Sequence, residues 1–459
     1  MASQWLVDIT DQIQRQPELA GDIRVDVAII GGGFVGLWTA IQLKQLDPSC
    51  RVAILEKSRC GEGASGLNGG FVMSWWPKIA SLRRLCGDAD AVWLADETTR
   101  SVATLSSFLD EHGIDAEFVC SGWLWTATTP VHIGAWEKVV LTAHRLGRGD
   151  IFQSLSSDEV ARRAGSRAHL AGILEPINGT VHPGKLGQGL ARIARNLDVR
   201  LYEQTRVNRL DRGHPARLVT KRGTVTADKV VIATNAWAAS VPELASSFIC
   251  VTSSIVATPL IPDRLAEIGW TGGESITDSQ TTVDFYRTTR SGRIIFGKGG
   301  GRLMYTGEPG PAVFNDVAGI DEALQDFRRV YSALADVPIA SRWSGPIDRT
   351  YDSLPLLGHL PDAPHIVFGV GWSGNGVNPS RIGGRILAGL ALDRKERWTE
   401  NGLVGRRARQ FPPEPFRYLG GSVVRGAMAR KDAAEITGRR VSTIDRNIAR
   451  LAPAGLEDK

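Results

Sequence analysis

Several large protein classes are excluded by what this 459-residue sequence lacks. No run approaches the ~20 apolar residues of a membrane span, so none is predicted. Residues 1–23 are polar, carry Asp8, Asp11, Glu18 and Asp22, and have no apolar signal core. Export is not expected, and a cytoplasmic location is. The five cysteines, Cys50, Cys60, Cys86, Cys120 and Cys250, are odd in number and widely spaced, with no CxxC pair and no Cys/His cluster. That pattern argues against a disulfide framework and predicts no metal site; reduced thiols fit it. Internal repeats and low-complexity segments are missing too. Nor is there a basic run of the kind nucleic acid needs. The net charge is +5, but residues 401–459 hold 12 Lys/Arg against 6 Asp/Glu, leaving 42 against 43 elsewhere. The excess is scattered along the tail, so a solvated or domain-covering helical tail is expected and a nucleic-acid partner is not.

Glycine, by contrast, is plentiful at 51 residues, as in a protein that brings backbone close to a large ligand. The length calls for two lobes. The chain is organised around Val25-Asp-Val-Ala-Ile-Ile30, a buried parallel strand by composition, followed by Gly31, Gly33 and Gly36 at G-x-G-x-x-G spacing. A helix follows, with Phe34, Leu37, Trp38 and Ile41 on one face. The strand Arg51 to Leu55 then ends on Glu56, 20 positions past Gly36. Gly31 allows a tight turn, Gly33 lets backbone approach a pyrophosphate, and Gly36 lets helix and strand pack closely. The helix N-terminus favours phosphate charge, and Glu56 can accept from ribose hydroxyls. Glycine turns are common, but strand, glycines, helix, second strand and acid in this order predict dinucleotide binding.

Two further glycine-rich segments punctuate the chain. Residues 61–70, with Ser65 and Asn68, read as an extended loop passing close against a ligand rather than a flexible linker, since Phe71 to Met73 and Trp75-Trp76 follow at once. Gly371 to Val377 follows the buried strand Ile366 to Val370 and precedes a helix over about 379–392, repeating the opening arrangement. Between them, helices are expected over about 78–112, 157–165, 183–196 and 321–335. Strands are expected within 117–128, 200–203, 206–210 and 217–234, and at 251–259, 282–288 and 293–297. Trp5 is the expected contact of an outer leader.

The ordered motifs resemble the FAD-dependent D-amino acid oxidase superfamily, in its glycine/sarcosine oxidase and gamma-glutamylputrescine oxidase branch. The matching pieces are Ile29 to Gly36 with Glu56-Lys57, Gly63 to Gly70, His182 to Lys185, Val230 to Trp237, Phe285 to Arg287 with Gly292 to Gly297, and Gly371 to Gly376. The resemblance implies an α/β fold with a discontinuous Rossmann-like FAD-binding domain (25–90, 170–245 and 341–395), built on a parallel sheet with helices. It also implies a substrate domain on a mixed or antiparallel sheet (91–169 and 246–340), between a leader (1–24) and a basic helical extension (396–459). It places Gly31, Gly33, Phe34, Val35 and Gly36 at the FAD pyrophosphate and Glu56 at the adenosine ribose with Lys57 beside it. Gly63, Ala64, Ser65, Asn68, Gly69 and Gly70 would line the flavin side. Val207 would meet adenine, and Ala233 and Thr234, with Trp237, would run under the pyrophosphate. Gly371, Gly374, Asn375, Gly376 and Val377 would offer backbone N–H groups near the flavin C2 carbonyl, where negative charge develops on reduction. Relatives with covalent flavin use a histidine near 57–70 or a cysteine near 345–350. This chain has neither, so noncovalent FAD is implied, with Cys60 the one residue able to upset that.

Amine oxidation needs a positioned substrate with an unprotonated nitrogen and little else from the protein. Arg287 could fork onto a substrate carboxylate, or bind other carboxylates or solvent. Tyr286 neighbours it, but adjacent strand residues face opposite ways. Trp372, like Trp75 and Trp76, could hold an amine by cation–π attraction or simply pack in the core. His182 is a candidate beside a structural role at a helix start, and Lys298 could supply positive charge for oxygen reactivity or lie in solvent. Asp352 reads as a turn residue. The implied function is oxidation of the C–N bond of an amine or amino acid by hydride transfer to flavin N5, with oxygen, or a quinone or carrier, as acceptor. A structural flavin in an assembly subunit is the alternative. An NAD-linked dehydrogenase is disfavoured because it leaves residues 65–70 and 371–376 without a role.

Overall fold

The computed structural model describes residues 3–455 and contains two eight-stranded sheets with a cleft between them. In the first sheet, Ala363–Val370, Thr224–Ile232, Ile23–Ile30, Val52–Leu55 and Arg200–Tyr202 run parallel in that order. Leu356–Leu360 closes one edge antiparallel, and Ala216–Val219 with Arg209–Asp211 form a hairpin annex on Thr224–Ile232. Val25, Val27, Ala28 and Ile29 are all buried, as expected of a strand covered on both faces. Helix Phe34–Leu46 covers one face together with Pro183–Asn196 and Pro379–Ala391. The last of these crosses Phe34–Leu46 so closely that a Cβ on Gly384 would stand 2.8 Å from the backbone carbon of Trp38.

The second sheet is ordered Ser341–Arg349, Ile249–Ala257, Ile294–Lys298, Asp284–Thr288, Ser275–Asp278, Trp123–Ala127, Ala171–Glu175 and Gln153–Leu155. All neighbours are antiparallel except Ser275–Asp278 beside Trp123–Ala127. Alternation gives its two faces different jobs. Ile276, Tyr286, Phe296 and Val256 point into an apolar cluster with Phe327, Val330 and Tyr331 of and beside helix Val317–Val330. Thr277, Phe285, Ile255 and Ser253 point into the cleft.

Several elements depart from the expectations. Ser341–Arg349 and Ala171–Glu175 are strands of the second sheet, so the expected domain boundaries at 341 and 170 do not follow the sheets. The 61–70 segment is not wholly extended: Ala64–Leu67 makes one helical turn. The long helix runs Ile79–Ala103, interrupted at Gly87 (φ 74°), and restarts as Leu105–Glu111. The expected 321–335 helix begins earlier, at Val317, where the Asp316 side chain accepts from the Gly319 N–H. Trp5 is buried and donates from Nε1 to the Asn68 carbonyl at 2.8 Å. The tail forms helices Phe416–Ile436 and Thr443–Ala449 packed on each other. Among the described residues no helix is long and apolar enough to cross a membrane.

The contact at Gly384 makes a prediction. Gly384→Ala puts a methyl group against main chain that cannot move without shifting a helix, an overpacking cost of roughly 1–3 kcal/mol. The urea midpoint should drop; a midpoint equal to wild type would mean that the two helices have slack at their crossing.

Candidate active site

The cleft between the sheets has a volume of about 1370 Å³. Pockets for single small ligands run to ~300–1,000 Å³, so this one has room for a dinucleotide and a small molecule together. One end is built by the carboxyl edge of the parallel sheet. Gly31 turns with φ +108° beneath the Ala233 carbonyl, 2.5 Å from where its Cβ would be. Gly33 opens helix Phe34–Leu46, and the Ser65 hydroxyl accepts from the Phe34 N–H at 2.8 Å, joining the second glycine segment to the helix start. A Cβ on Gly36 would stand 2.0 Å from the Gly31 carbonyl oxygen, so this glycine permits the strand–helix crossing and does not itself line the cleft. Glu56 accepts from the Gly32 and Ser58 N–H groups, each at 2.8 Å. Burial raises its carboxyl above the ordinary range, partly opposed by those two donors. Lys57 Nζ lies 3.4 Å from the centre of the Trp237 ring, and burial lowers its amine to about 8.

Phe34, Val35, Gly63, Ala64, Ser65, Asn68, Gly69, Val207, Ala233, Thr234 and Trp237 line this same cleft. Gly70 does not; a Cβ there would strike the Val181 carbonyl at 2.3 Å. Asn68 braces the turn by donating to the Ala64 and Ser65 carbonyls and accepting from the Gly70 N–H. Bare glycine backbone at a helix N-terminus, an acid one strand away and a cleft of this volume fit FAD.

At the other end, Gly374, Asn375, Gly376 and Val377 line the cleft, while Gly371 lies behind it. Sequence inspection missed the residue that fixes this loop. Asp348, at the end of Ser341–Arg349, accepts from the Gly371 N–H at 2.6 Å and the Trp372 N–H at 3.0 Å, and its carbonyl accepts from the Ser373 N–H. It is fully buried, and burial pushes its carboxyl up to about 7. Trp372 lines the cleft with part of its ring, but the body packs on helix Pro379–Ala391: a Cβ on Gly383 would stand 2.2 Å from it.

Four residues singled out for chemistry lie outside the cleft. Tyr286 is on the helix side of the second sheet, stacked on Phe296 and 2.7 Å from His169 Nε2; its neighbour Phe285 faces the cleft instead. Arg287 returns to the Phe285 side but sits behind the glycine segment, donating to the Gly69 carbonyl at 2.9 Å and the Val181 carbonyl at 2.6 Å. Burial lowers its guanidinium to about 9. Lys298 is on the helix side, paired with Asp284 at 3.0 Å and Asp326 at 2.7 Å. Burial works against its charge, but those carboxylates outweigh it and raise the amine. His182 caps helix Pro183–Asn196, accepting from the Lys185 N–H, and lies edge-on to Trp5.

Other polar groups line the cleft as well. Lys78, His132, Ser279, Thr281, Arg349 and Ser353 are among them, and the tail contributes lining residues such as Met428 and Lys431. Asp432 of helix Phe416–Ile436 accepts from the Thr281 N–H at 3.1 Å, the Thr282 N–H at 2.8 Å and the Thr282 hydroxyl at 2.6 Å. Glu435, one turn on, lies 3.1 Å from His132 Nε2. No local motif marks these residues; only the fold brings them together.

The FAD dependent oxidoreductase (DAO) family matches residues 26–390. Among curated proteins, the chain is 29% identical over 378 residues to a probable oxidoreductase OrdL of Rhizobium meliloti (strain 1021), covering 82% of this chain and 85% of the relative. It is 27% identical over 379 residues to the gamma-glutamylputrescine oxidoreductase of Escherichia coli (strain K12), with coverage of 82% and 85%. Of solved structures, glycine oxidase from Geobacillus kaustophilus superposes with a TM-score of 0.69 at 23% identity, covering 84% of this chain and 99% of that one. That likeness bears on the fold. With its glycine turn, buried acid and second glycine loop facing one cleft, the chain belongs to the DAO family of FAD-dependent oxidoreductases.

Proposed function

We propose that the protein oxidises the C–N bond of a small amine or amino acid, using noncovalently held FAD. The observation that carries this is that the Asp348-pinned loop 371–377 and the inner face of the second sheet line one cleft with room for a small molecule beside a dinucleotide. Relatives named for glycine and for gamma-glutamylputrescine fit a substrate of that kind. FAD supplies a hydride acceptor at N5, so the substrate would leave as an imine that water hydrolyses to a carbonyl compound and ammonia or an amine. Electrons then pass to oxygen or to a quinone or carrier.

The chain's own residues have three tasks. Gly374 to Val377 would offer backbone N–H groups to the flavin pyrimidine edge, and Asp348 keeps that backbone in place. Phe285, Ile255 and the tail exclude water from the substrate space. Lys78, Arg349 and Lys431 line the same half of the cleft. Their positive charges disfavour a protonated substrate nitrogen, which hydride loss requires to be neutral.

Three outcomes are expected. Anaerobic mixing of the yellow protein with a panel of amines and amino acids should bleach the visible flavin band with one chemical class, and readmitted air should restore it only if oxygen is the acceptor. A band that no member bleaches would favour a flavin that does no chemistry. Acid precipitation should leave the yellow colour in solution; colour in the pellet would mean a covalent bond. Asp348→Asn leaves one oxygen for two N–H donors, and an unsatisfied buried donor costs roughly 1–3 kcal/mol. Flavin content after dialysis should therefore fall. The same carboxyl starts near 3.8 unfolded and titrates near 7 in the fold. The folded state thus holds the extra proton between those values, and the stabilisation from it is complete below about pH 4 and lost as pH rises through about 7. The urea stability of wild type relative to Asp348→Asn should fall from about pH 5 to about pH 8; a difference that stays flat or grows would mean an ordinary, ionised Asp348.

A further inference from the structure

Large apolar side chains exposed one at a time are ordinary on a protein surface, whereas a cluster of them marks a contact. Thirteen are exposed among the described residues, and five of these, Phe416, Leu419, Val423, Ile444 and Leu451, lie in the two tail helices and the turn after them. Each is 57–69% exposed, and five in so short a stretch is far above an even spread. Phe416, Leu419 and Val423 are spaced three and four apart, so helix Phe416–Ile436 carries them on one face. Two more of the thirteen adjoin the same helix. Tyr305 meets the Tyr418 ring edge-on, with centroids 5.6 Å apart, and Val317 lines a hollow of about 410 Å³ with Tyr418, Ser422 and Arg425. One helix thus gathers an apolar patch from three parts of the chain.

The charge beside this patch is basic. Every acid from residue 401 to 455 is engaged: Glu414 pairs with Arg417, Asp445 with Arg430 and Glu435 with Lys431, and Asp432 is buried on the Thr281 and Thr282 N–H groups. Arg439, Arg440 and Arg446, in and beside the turn that joins the two helices, are exposed and form no ion pair among the described residues. Exposed apolar groups flanked by arginines suit the surface of an anionic bilayer, where the apolar groups enter between headgroups and the guanidinium groups meet phosphate. A second copy of the chain suits the face less well, because a twofold contact would bring two such basic clusters together. The whole surface also lies beyond residue 390, where the match to the family ends.

We infer that helices Phe416–Ile436 and Thr443–Ala449 dock the protein on an anionic lipid bilayer, with Leu419 and Val423 entering the interface and Arg439 and Arg440 on the headgroups. The bilayer is bound from one side and not crossed; among the described residues no helix could span it. Phe416 and Leu451 belong both to this patch and to the cleft lining, so the docked face borders the cleft. Docking is independent of the oxidation proposed above.

The test mixes the full-length flavoprotein with vesicles of phosphatidylcholine alone, or of phosphatidylcholine with phosphatidylglycerol, and measures co-sedimentation. Sedimentation velocity without vesicles gives the oligomeric state. The protein should bind the mixed vesicles, ignore the neutral ones, and release as salt is raised. Leu419→Ser combined with Val423→Ser should weaken binding by about tenfold or more. Neither residue lines the cleft, so the flavin content of that variant should match wild type. Arg439→Gln combined with Arg440→Gln should weaken binding by about tenfold and leave it less sensitive to salt. The inference is overturned if wild type binds neither vesicle, if it binds both equally, or if the serine variant binds as wild type does. A protein that ignores vesicles and sediments as a dimer, which the serine variant dissociates, would assign the patch to a second copy instead. Should the serine variant not fold, the glutamine variant and the salt dependence decide.

Discussion

The register of the parallel strands governs what the cleft contains. Ile30 lies opposite both Leu55 and Ile232, and Ile232 opposite Phe368. The residues that follow in three of these strands, Gly31, Glu56 and Ala233, therefore emerge side by side at one edge, where a ligand bridging them is in reach of all three. A slip of one residue would turn each strand's buried side chains to the opposite face, so the apolar pattern that builds the core also fixes the site. The glycines act within this constraint. Gly36 lets the helix cross the turn with its residue 2.0 Å, at the would-be Cβ, from the Gly31 carbonyl, and that crossing aims the helix N-terminus along the edge.

The second sheet obeys a different rule, alternation, and separates charge from chemistry by it. Lys298, Asp284, Asp326 and Arg329 make a connected ionic group on the helix side, and Gln280 donates to Asp278 and Asp284 at the turn that leads to the cleft. Isolated buried charges would be costly, and this set meets that cost through mutual pairing. Its position at the ends of Asp284–Thr288 and Ile294–Lys298 holds the turn that presents Ser279 and Thr281 to the cleft. Arg287 does comparable work on the other face: its two bonds to Gly69 and Val181 tie the glycine segment of one sheet to a strand of the other. Strong functional candidates by residue type thus turn out to position backbone.

Local patterns were legible in the sequence, and non-local ones were not. The opening strand, glycine turn and acid could be read because dinucleotide recognition uses consecutive residues with fixed spacing. The same held for the loop after Val370, where a buried strand runs into glycines. Tyr286 and Arg287 could be recognised as facing opposite ways, but which face of their strand met the cleft depended on the helix Val317–Val330 packing behind the sheet. Ser341–Arg349 gave no sign of its allegiance, since its partner Ile249–Ala257 lies some ninety residues earlier in sequence. Nothing in the sequence singled out Asp348; its role comes from two N–H groups that the chain delivers more than twenty positions later.

The basic tail shows how a bulk property misleads until it is placed. Its charge excess suggested a solvated surface or a cover, but Arg409, Arg417, Arg425, Lys431, Arg446 and Arg450 line the cleft itself. Part of that charge is answered locally, by Glu414 at Arg417 and Glu435 at Lys431. With Lys57, Lys78 and Arg349, basic side chains on the cleft lining outnumber the acidic ones, Glu56, Glu308 and Asp348. Low-dielectric walls focus such a field, which draws in anions and repels cations. A dinucleotide with a pyrophosphate suits it throughout. The charge that looked like an appendage is in this way part of the wall of the cleft that a dinucleotide would fill.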